Sequence, residues 1–389
     1  MSEHIITGID VGTYQVRVAV VRVPKKRRER TAPQVIGTGF AESRGLPNGY
    51  IISETDVIRS IRSAVAQAEK NAGVNIKRAY VSLGSIGLDE IVTTGEVITS
   101  RADSEITNID TEKAQQDSED RIIDQIPNRK IIHSIPLRYR VDNEEVLGKP
   151  QGMRGTKLEV DTLCITTFEQ HLNDLIGAVE QTGIYVEDVM ASPIAASFVI
   201  LSKAQRRAGC VMANIGAETV SIVVYEDTIP ISLKIFPIGA NDITNDIALG
   251  LKIPLEEAEK IKRGGITNVT YSKKRLEEII NARVTDIFEL IQIHLKKIRK
   301  DGLLPAGIIM TGGGSSTLGI QEQARTTLEL PARIATLDIG KNAKIKDASW
   351  AVAYGLCMIG ASGAEDSSSI GVVKQTRHNI FNWLSQFLP

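Results

Sequence analysis

Ile9-Asp10-Val11-Gly12-Thr13 opens a strand–turn–strand that runs on to Val20-Val21. Ala213-Asn214-Ile215-Gly216-Ala217, 204 residues later, opens another that runs on to Val224-Tyr225. Laid on each other, Gly12 falls on Gly216, Val16 on Val220 and Val20 on Val224. The alternation of Val16, Val18 and Val20 with Arg17 and Ala19 has the two-residue period of a half-buried strand. Two copies of one such unit at this separation predict a duplicated α/β domain with a cleft between the halves.

A third glycine turn, Thr311-Gly312-Gly313-Gly314-Ser315, follows a short apolar strand expected at 306–310. Glycine lets a backbone approach a ligand closely, and exposed N–H groups at such turns hold phosphate oxygens. A carboxylate at a strand end, such as Asp10, suits the hydrated shell of Mg²⁺. Each turn alone is weak evidence, and the three in this order are much stronger. Neither G-x-x-x-x-G-K-[ST] nor G-x-G-x-x-G occurs, which excludes a P-loop and a Rossmann fingerprint.

Between the repeats, helical spacing is expected over 54–72 and a buried strand over 79–83. Residues 84–162 then read as a small α+β insert, with strands near 90–99, 131–141 and 158–164 and a polar helix near 111–126. An amphipathic helix at 168–183, capped by Gly183, and another opening at Pro193 lead to the second repeat. Beyond it come a strand at 230–238, Gly239, and helices at 242–251, 254–262 and 271–299. A small-residue helix at 346–359 and a Ser- and Gly-rich tether at 362–375 follow. The expected division is 1–83 and 163–205 as the first domain, interrupted by the insert. Residues 206–340 form the second, with a helical part at 242–301. A return helix at 341–361, a linker at 362–377 and a terminal helix at 378–389 complete it.

The 389 residues carry 46 Lys and Arg against 47 Asp and Glu, so bulk basicity does not drive nucleic-acid binding. Cys164, Cys210 and Cys357 lie far apart, without zinc or disulfide spacing. The chain enters an apolar strand after Met1-Ser2-Glu3-His4, so neither a signal peptide nor a spanning segment is expected, and a cytoplasmic setting is. The basic run Lys25 to Arg30 reads as a solvated hairpin tip, with anionic lipid as the sharper alternative.

Aromatic residues are scarce, yet Phe381, Trp383 and Phe387 crowd the last ten positions. On a helical wheel Ile380, Phe381, Trp383, Leu384, Phe387 and Leu388 fall within an arc of roughly 160°. Asn379, Asn382, Ser385 and Gln386 take the remainder. Such a helix is too short to span a bilayer and suits its interface. Docking on its own domain is the plainer alternative.

The stretches GIDVGTYQVRVAVV (8–21), ANIGAET (213–219) and IIMTGGGSSTLGI (308–320) resemble the two phosphate motifs and the adenosine motif of the actin, sugar-kinase and heat-shock chaperone superfamily. Within it the chain resembles the bacterial cell-division FtsA family from end to end. GMRGTKLEVDTLCITT (152–167) and PIGANDITNDIALGLKIPLEEAEKIKRGG (237–265) add to the match. The resemblance implies an actin-like (ribonuclease H-like) duplicated fold that binds ATP and Mg²⁺. It places Asp10 near the metal, Gly12, Thr13 and Tyr14 around the phosphates, and Arg17 where actins carry a lysine. Asn214, Gly216, Ala217 and Glu218 would form the opposing turn, with Gly239 beyond it. Glu259 and Lys262 would reach the adenosine, and Gly312, Gly313 and Gly314 would floor the nucleotide.

Two departures from the active ATPases of this superfamily imply slow hydrolysis. Asn214 stands where Asp is usual, and Ser192 stands where Glu or Gln orients water; neither replacement serves as a base. The resemblance further implies filaments, membrane tethering of the division ring, the C-terminal peptide of FtsZ as partner, and other divisome proteins at the insert. The rival readings are a PilM-like pilus-assembly adaptor, which would lack the lipid-binding tail, and a sugar or acid kinase, which would need a catalytic Asp.

Overall fold

The computed structural model describes residues 4–24, 33–99, 103–337 and 347–366. The basic run 25–30 and the tail residues Ile380, Phe381, Trp383, Leu384, Phe387 and Leu388 lie outside these.

The chain opens with β1 (His4–Val11), β2 (Gln15–Val23) and β3 (Gln34–Glu42), an antiparallel meander. Helix α1 (Glu54–Ala72) buries Val57, Ile58, Ile61, Val65 and Ala68 against it, at the spacing of one helix face. Gly73 ends α1 in the left-handed conformation (φ 69°), a C-cap that costs glycine nothing. Strand β4 (Arg78–Leu83) then pairs parallel to β1.

A separate antiparallel sheet follows: β5 (Asp89–Ile98), helix α2 (Asn108–Ile123), β6 (Arg129–Val141), β7 (Glu144–Val146) and β8 (Lys157–Phe168), in the order β5-β8-β6-β7. Strand β8 runs four residues past the 158–164 expected, because Thr166, Thr167 and Phe168 still pair with Ile131, Lys130 and Arg129 of β6. The sheet therefore continues beyond residue 162, the expected end of the insert.

Helix α3 (Glu169–Glu180) and β9 (Tyr185–Ala191) return to the first sheet, where β9 pairs parallel to β4. Gly183 is not the C-cap of α3: Gln181 is, and Gly183 turns the chain two residues later at φ 89°. Helices α4 (Ser192–Ile200) and α5 (Lys203–Ala208) lead into the second half.

That half repeats the first. Strands β10 (Cys210–Ile215), β11 (Val220–Glu226) and β12 (Ile229–Phe236) form the meander. Helices α6 (Ala240–Leu251), α7 (Leu255–Lys262) and α8 (Lys273–Lys297) follow. Next come β13 (Ile308–Thr311), α9 (Ile320–Leu328) and β14 (Ala332–Ile334). The two main sheets have the orders β3-β2-β1-β4-β9 and β12-β11-β10-β13-β14, so each strand of one has its counterpart in the other. The aligned turns correspond in register too: Val11 pairs with Val16, and Ile215 with Val220.

Helix α10 (Ala351–Asp366) begins later than expected, after a 3-10 turn at Ala348–Trp350, and reaches residue 366, inside the stretch expected as a tether. It crosses α4 so closely that a Cβ on Gly355 would lie 1.9 Å from the Ala195 carbonyl oxygen. Helix α4 is joined in turn to the second sheet, where Ser197 Oγ and the Tyr225 hydroxyl share a 2.7 Å hydrogen bond. These two helices connect the halves at the base of the cleft.

A candidate nucleotide site in the cleft

The three glycine turns face one cavity of about 500 Å³ between the halves. Asp10, Gly12, Thr13, Tyr14 and Arg17 line it from the first half. Asn214, Gly216, Ala217, Glu259, Lys262, Gly312, Gly313 and Gly314 line it from the second. Ser192 reaches it from the first turn of α4.

Asp10 is the last residue but one of β1 and is buried. Ser82 Oγ donates to its Oδ1 at 2.8 Å, and the same hydroxyl accepts the main-chain N–H of Val11 at 3.3 Å. Burial raises the Asp10 carboxyl above its ordinary pKa, while the nearby Arg17 charge and the Ser82 bond pull it back. A carboxylate left this poorly solvated gains from a cation beside it. Among the described residues no three His, Cys, Asp or Glu side chains converge on a metal position. Asp10 therefore fits a hydrated Mg²⁺ completed by ligand oxygens, not a cage built wholly of protein.

The second turn is fixed from behind. Ala240 N donates to Gly216 O at 2.9 Å and Asn241 N to Ala217 O at 2.7 Å, which sets the turn against the start of α6. Gly239 does not line the cavity; its role is close packing, since a Cβ there would lie 2.4 Å from the Ala217 carbonyl oxygen. Glu218 does not line it either. Its carboxylate points across to the first half and accepts the Asn48 main-chain N–H at 2.7 Å.

On α7, Lys262 Nζ lies 2.6 Å from Glu259 Oε2 and donates to Thr244 Oγ1 at 2.7 Å and to the Ala240 carbonyl at 2.9 Å. Burial works against the Glu259 carboxylate, yet hydrogen bonds from Lys262, Thr244 and Arg263 hold its pKa below the usual value. The pair is a fixed polar wall, not two solvated side chains on a helix face.

Arg263, Asp347 and Ser349 line the cleft without having been anticipated. Arg263 directly follows Lys262 in the quoted motif but caps α7, outside the helical spacing. Asp347 accepts the Ser349 N–H at 2.8 Å, a capping signal hidden by starting the helix at residue 346.

Taken together, the cavity is lined by three glycine turns, one buried carboxylate, the Glu259–Lys262 pair and the cations Arg17 and Arg263. That set suits a polyanion carrying a divalent cation.

Comparison with known proteins agrees with this architecture. The family model for cell division protein FtsA matches residues 211–355, and that for the SHS2 domain inserted in FtsA matches residues 90–166. FtsA of Pseudomonas aeruginosa is 26% identical over 95% of this chain and 93% of its own. Among solved structures, the PilM-PilN type IV pilus biogenesis complex superposes with a TM-score of 0.69 at 15% identity, covering 91% of this chain and 98% of that one. MreB5 of Spiroplasma citri bound to ADP gives 0.53 at 12% identity, over 93% and 98%. The last two likenesses establish the actin-like fold.

Proposed function

The chain belongs to the FtsA family of cell-division proteins, and we propose on that footing that it is an ATP-gated scaffold tethering the FtsZ ring to the cytoplasmic membrane. The observation that carries the nucleotide reading is the meeting of three glycine turns around one cavity, with Asp10 buried at its first turn. ATP with Mg²⁺ would lie there, its phosphates between the Gly12 and Gly216 turns and its adenosine between Glu259, Lys262 and Gly313. Bound nucleotide favours self-association into filaments.

The helical part of the second half, α6 to α8, receives the C-terminal peptide of FtsZ, and the inserted sheet meets other divisome proteins. The terminal segment from Ile380 to Leu388 holds the assembly on lipid by apolar burial, with valency supplied by polymerisation. No described helix is long and apolar enough to cross a membrane.

The pilus-adaptor reading draws on the fold likeness to PilM, and the tail separates the two. Liposome co-sedimentation of the full chain, compared with Trp383→Glu and with a chain ending at His378, is the deciding experiment. The full chain is expected in the pellet and both variants in the supernatant. A full chain that stays in the supernatant overturns the tether.

A further inference from the structure

Two contacts close the cleft at its rim, each joining one half to the other. The Arg263 guanidinium stacks on the Tyr14 ring at 5.6 Å and donates to the Tyr14 hydroxyl at 3.1 Å. Glu218 accepts the Asn48 main-chain N–H at 2.7 Å. Tyr14 and Asn48 belong to the first half, Arg263 and Glu218 to the second.

Both contacts are positioned from their own side. Arg263 Nε also donates to Glu259 Oε1 at 2.6 Å, which aims the guanidinium from the end of α7 towards the β1–β2 turn. Asn48 sits in the left-handed conformation (φ 50°) inside the 3-10 turn Pro47–Gly49, and its N–H is the one that reaches Glu218. Neither contact is deeply buried. Tyr14 is 45% exposed, and an exposed cation–π contact contributes only about 0.5–1 kcal/mol, so the stack opens at little cost.

We propose that Tyr14–Arg263 and Asn48–Glu218 are paired latches that gate nucleotide entry and exit. This rests on the cleft being a nucleotide site, as proposed above. Glu218, away from the cavity lining, acts purely on closure. Arg263 lines the cavity as well, so its two possible roles need separating. A gate and a ligand contact differ in kinetics: loosening a gate raises both association and dissociation rates, whereas losing a ligand contact raises dissociation alone.

The test is stopped-flow binding of a fluorescent ATP analogue with Mg²⁺ to the full chain, followed by a chase with unlabelled ATP. Arg263→Ala, Tyr14→Phe and Glu218→Ala are compared with the wild type. Tyr14→Phe removes one hydroxyl and keeps the ring, so it guards against misfolding of the others. Arg263→Ala is expected to raise both rates roughly two- to fivefold, the range for losing an exposed cation–π contact. Glu218→Ala removes the acceptor of the Asn48 N–H and is expected to raise both rates as well. Unchanged rates in Arg263→Ala and Glu218→Ala overturn the latches, and so does a rise in dissociation alone.

A readout independent of nucleotide accompanies it. Spin labels at Ile52→Cys and Ile266→Cys, both strongly exposed, report the distance between the halves, the three natural cysteines being buried. Arg263→Ala is expected to broaden that distribution and extend it to longer distances in the ligand-free chain. If the wild type binds no ATP analogue, the nucleotide reading fails, while the distance distribution still decides whether the latches hold the cleft. An unchanged distribution in Arg263→Ala overturns them.

Discussion

Nε2 of His133 accepts the main-chain N–H of Ala191 at 2.9 Å, tying the inserted sheet to the residue just before α4. Burial lowers the pKa of this imidazole from 6.5 to about 4, so it is neutral near pH 7. The unfolded chain takes up the proton first. The His133 contribution to stability is therefore complete above about pH 6.5 and is lost as pH falls from there towards 4. His294, also buried, is lowered to about 4 in the same way. Urea unfolding at pH 7.5 and 5.5 should show a loss of about 1 kcal/mol per histidine. His133→Gln keeps an acceptor for Ala191 without a titration, and should reduce the pH dependence. An unaltered slope in that variant would mean other groups carry it.

Adjacent glycines at the third turn should respond in opposite ways. Gly312 sits at φ 84°, and a Cβ there would lie 2.3 Å from Asn214 Oδ1 and 2.5 Å from the Ile215 carbonyl oxygen. Gly313 has no such neighbour and faces the cavity. Gly312→Ala should cost about 1–3 kcal/mol through backbone strain and overlap. Gly313→Val should melt close to the wild type but lose the rise in melting temperature expected with ATP and Mg²⁺. Thermal melts with and without millimolar ATP and Mg²⁺ separate them. Equal behaviour of the two variants would contradict the geometry.

Glu90 should be the residue that holds the inserted sheet against the second half. Its Oε1 accepts Ser232 Oγ at 2.8 Å, its Oε2 accepts the Leu233 N–H, and Ser232 Oγ is also 2.7 Å from His294 Nε2. His294 stands 3.9 Å from Glu90 but is neutral near pH 7, so these two groups are joined through hydrogen bonds, while the neighbouring Lys234 Nζ and Asp89 Oδ1 form an ion pair at 3.4 Å. Glu90→Ala removes the acceptor of the buried Leu233 N–H and leaves Ser232 with His294, and should cost about 1–3 kcal/mol. Glu90→Gln retains an acceptor and should recover part of it. Equal chemical stability of Glu90→Ala and wild type would show that the junction adds nothing.

Much of this was legible where the signal is local. The Gly12 and Gly216 turns, the alternating strands beside them and the face of α1 from Val57 to Ala68 depend on residues a few positions apart. What the sequence hid depends on distant partners. Glu218 reads as part of a phosphate turn, but its hydrogen bond is to Asn48, 170 residues away. Strand β8 looks finished at Cys164, yet pairing with β6 carries it to Phe168. Arg263 falls off the periodic face of α7, and its contact with Tyr14 joins positions 249 residues apart.

The last expectation concerns hydrolysis. Asn214, the last residue but one of β10, pairs with Ser221 and lines the cleft. Ser192, at the start of α4, is the only described residue of that helix to line the cavity. An amide and a hydroxyl cannot take a proton from water near neutral pH, so phosphate release should stay far below the roughly 1–100 s⁻¹ of kinases. Asn214→Asp is nearly isosteric and places a carboxylate at the second turn. It should strengthen the Mg²⁺ dependence of ATP binding and raise phosphate release above the wild type. Phosphate release measured at several Mg²⁺ concentrations checks both effects. Fast turnover in the wild type, or no response in Asn214→Asp, would mean that some other residue of the cleft sets the rate.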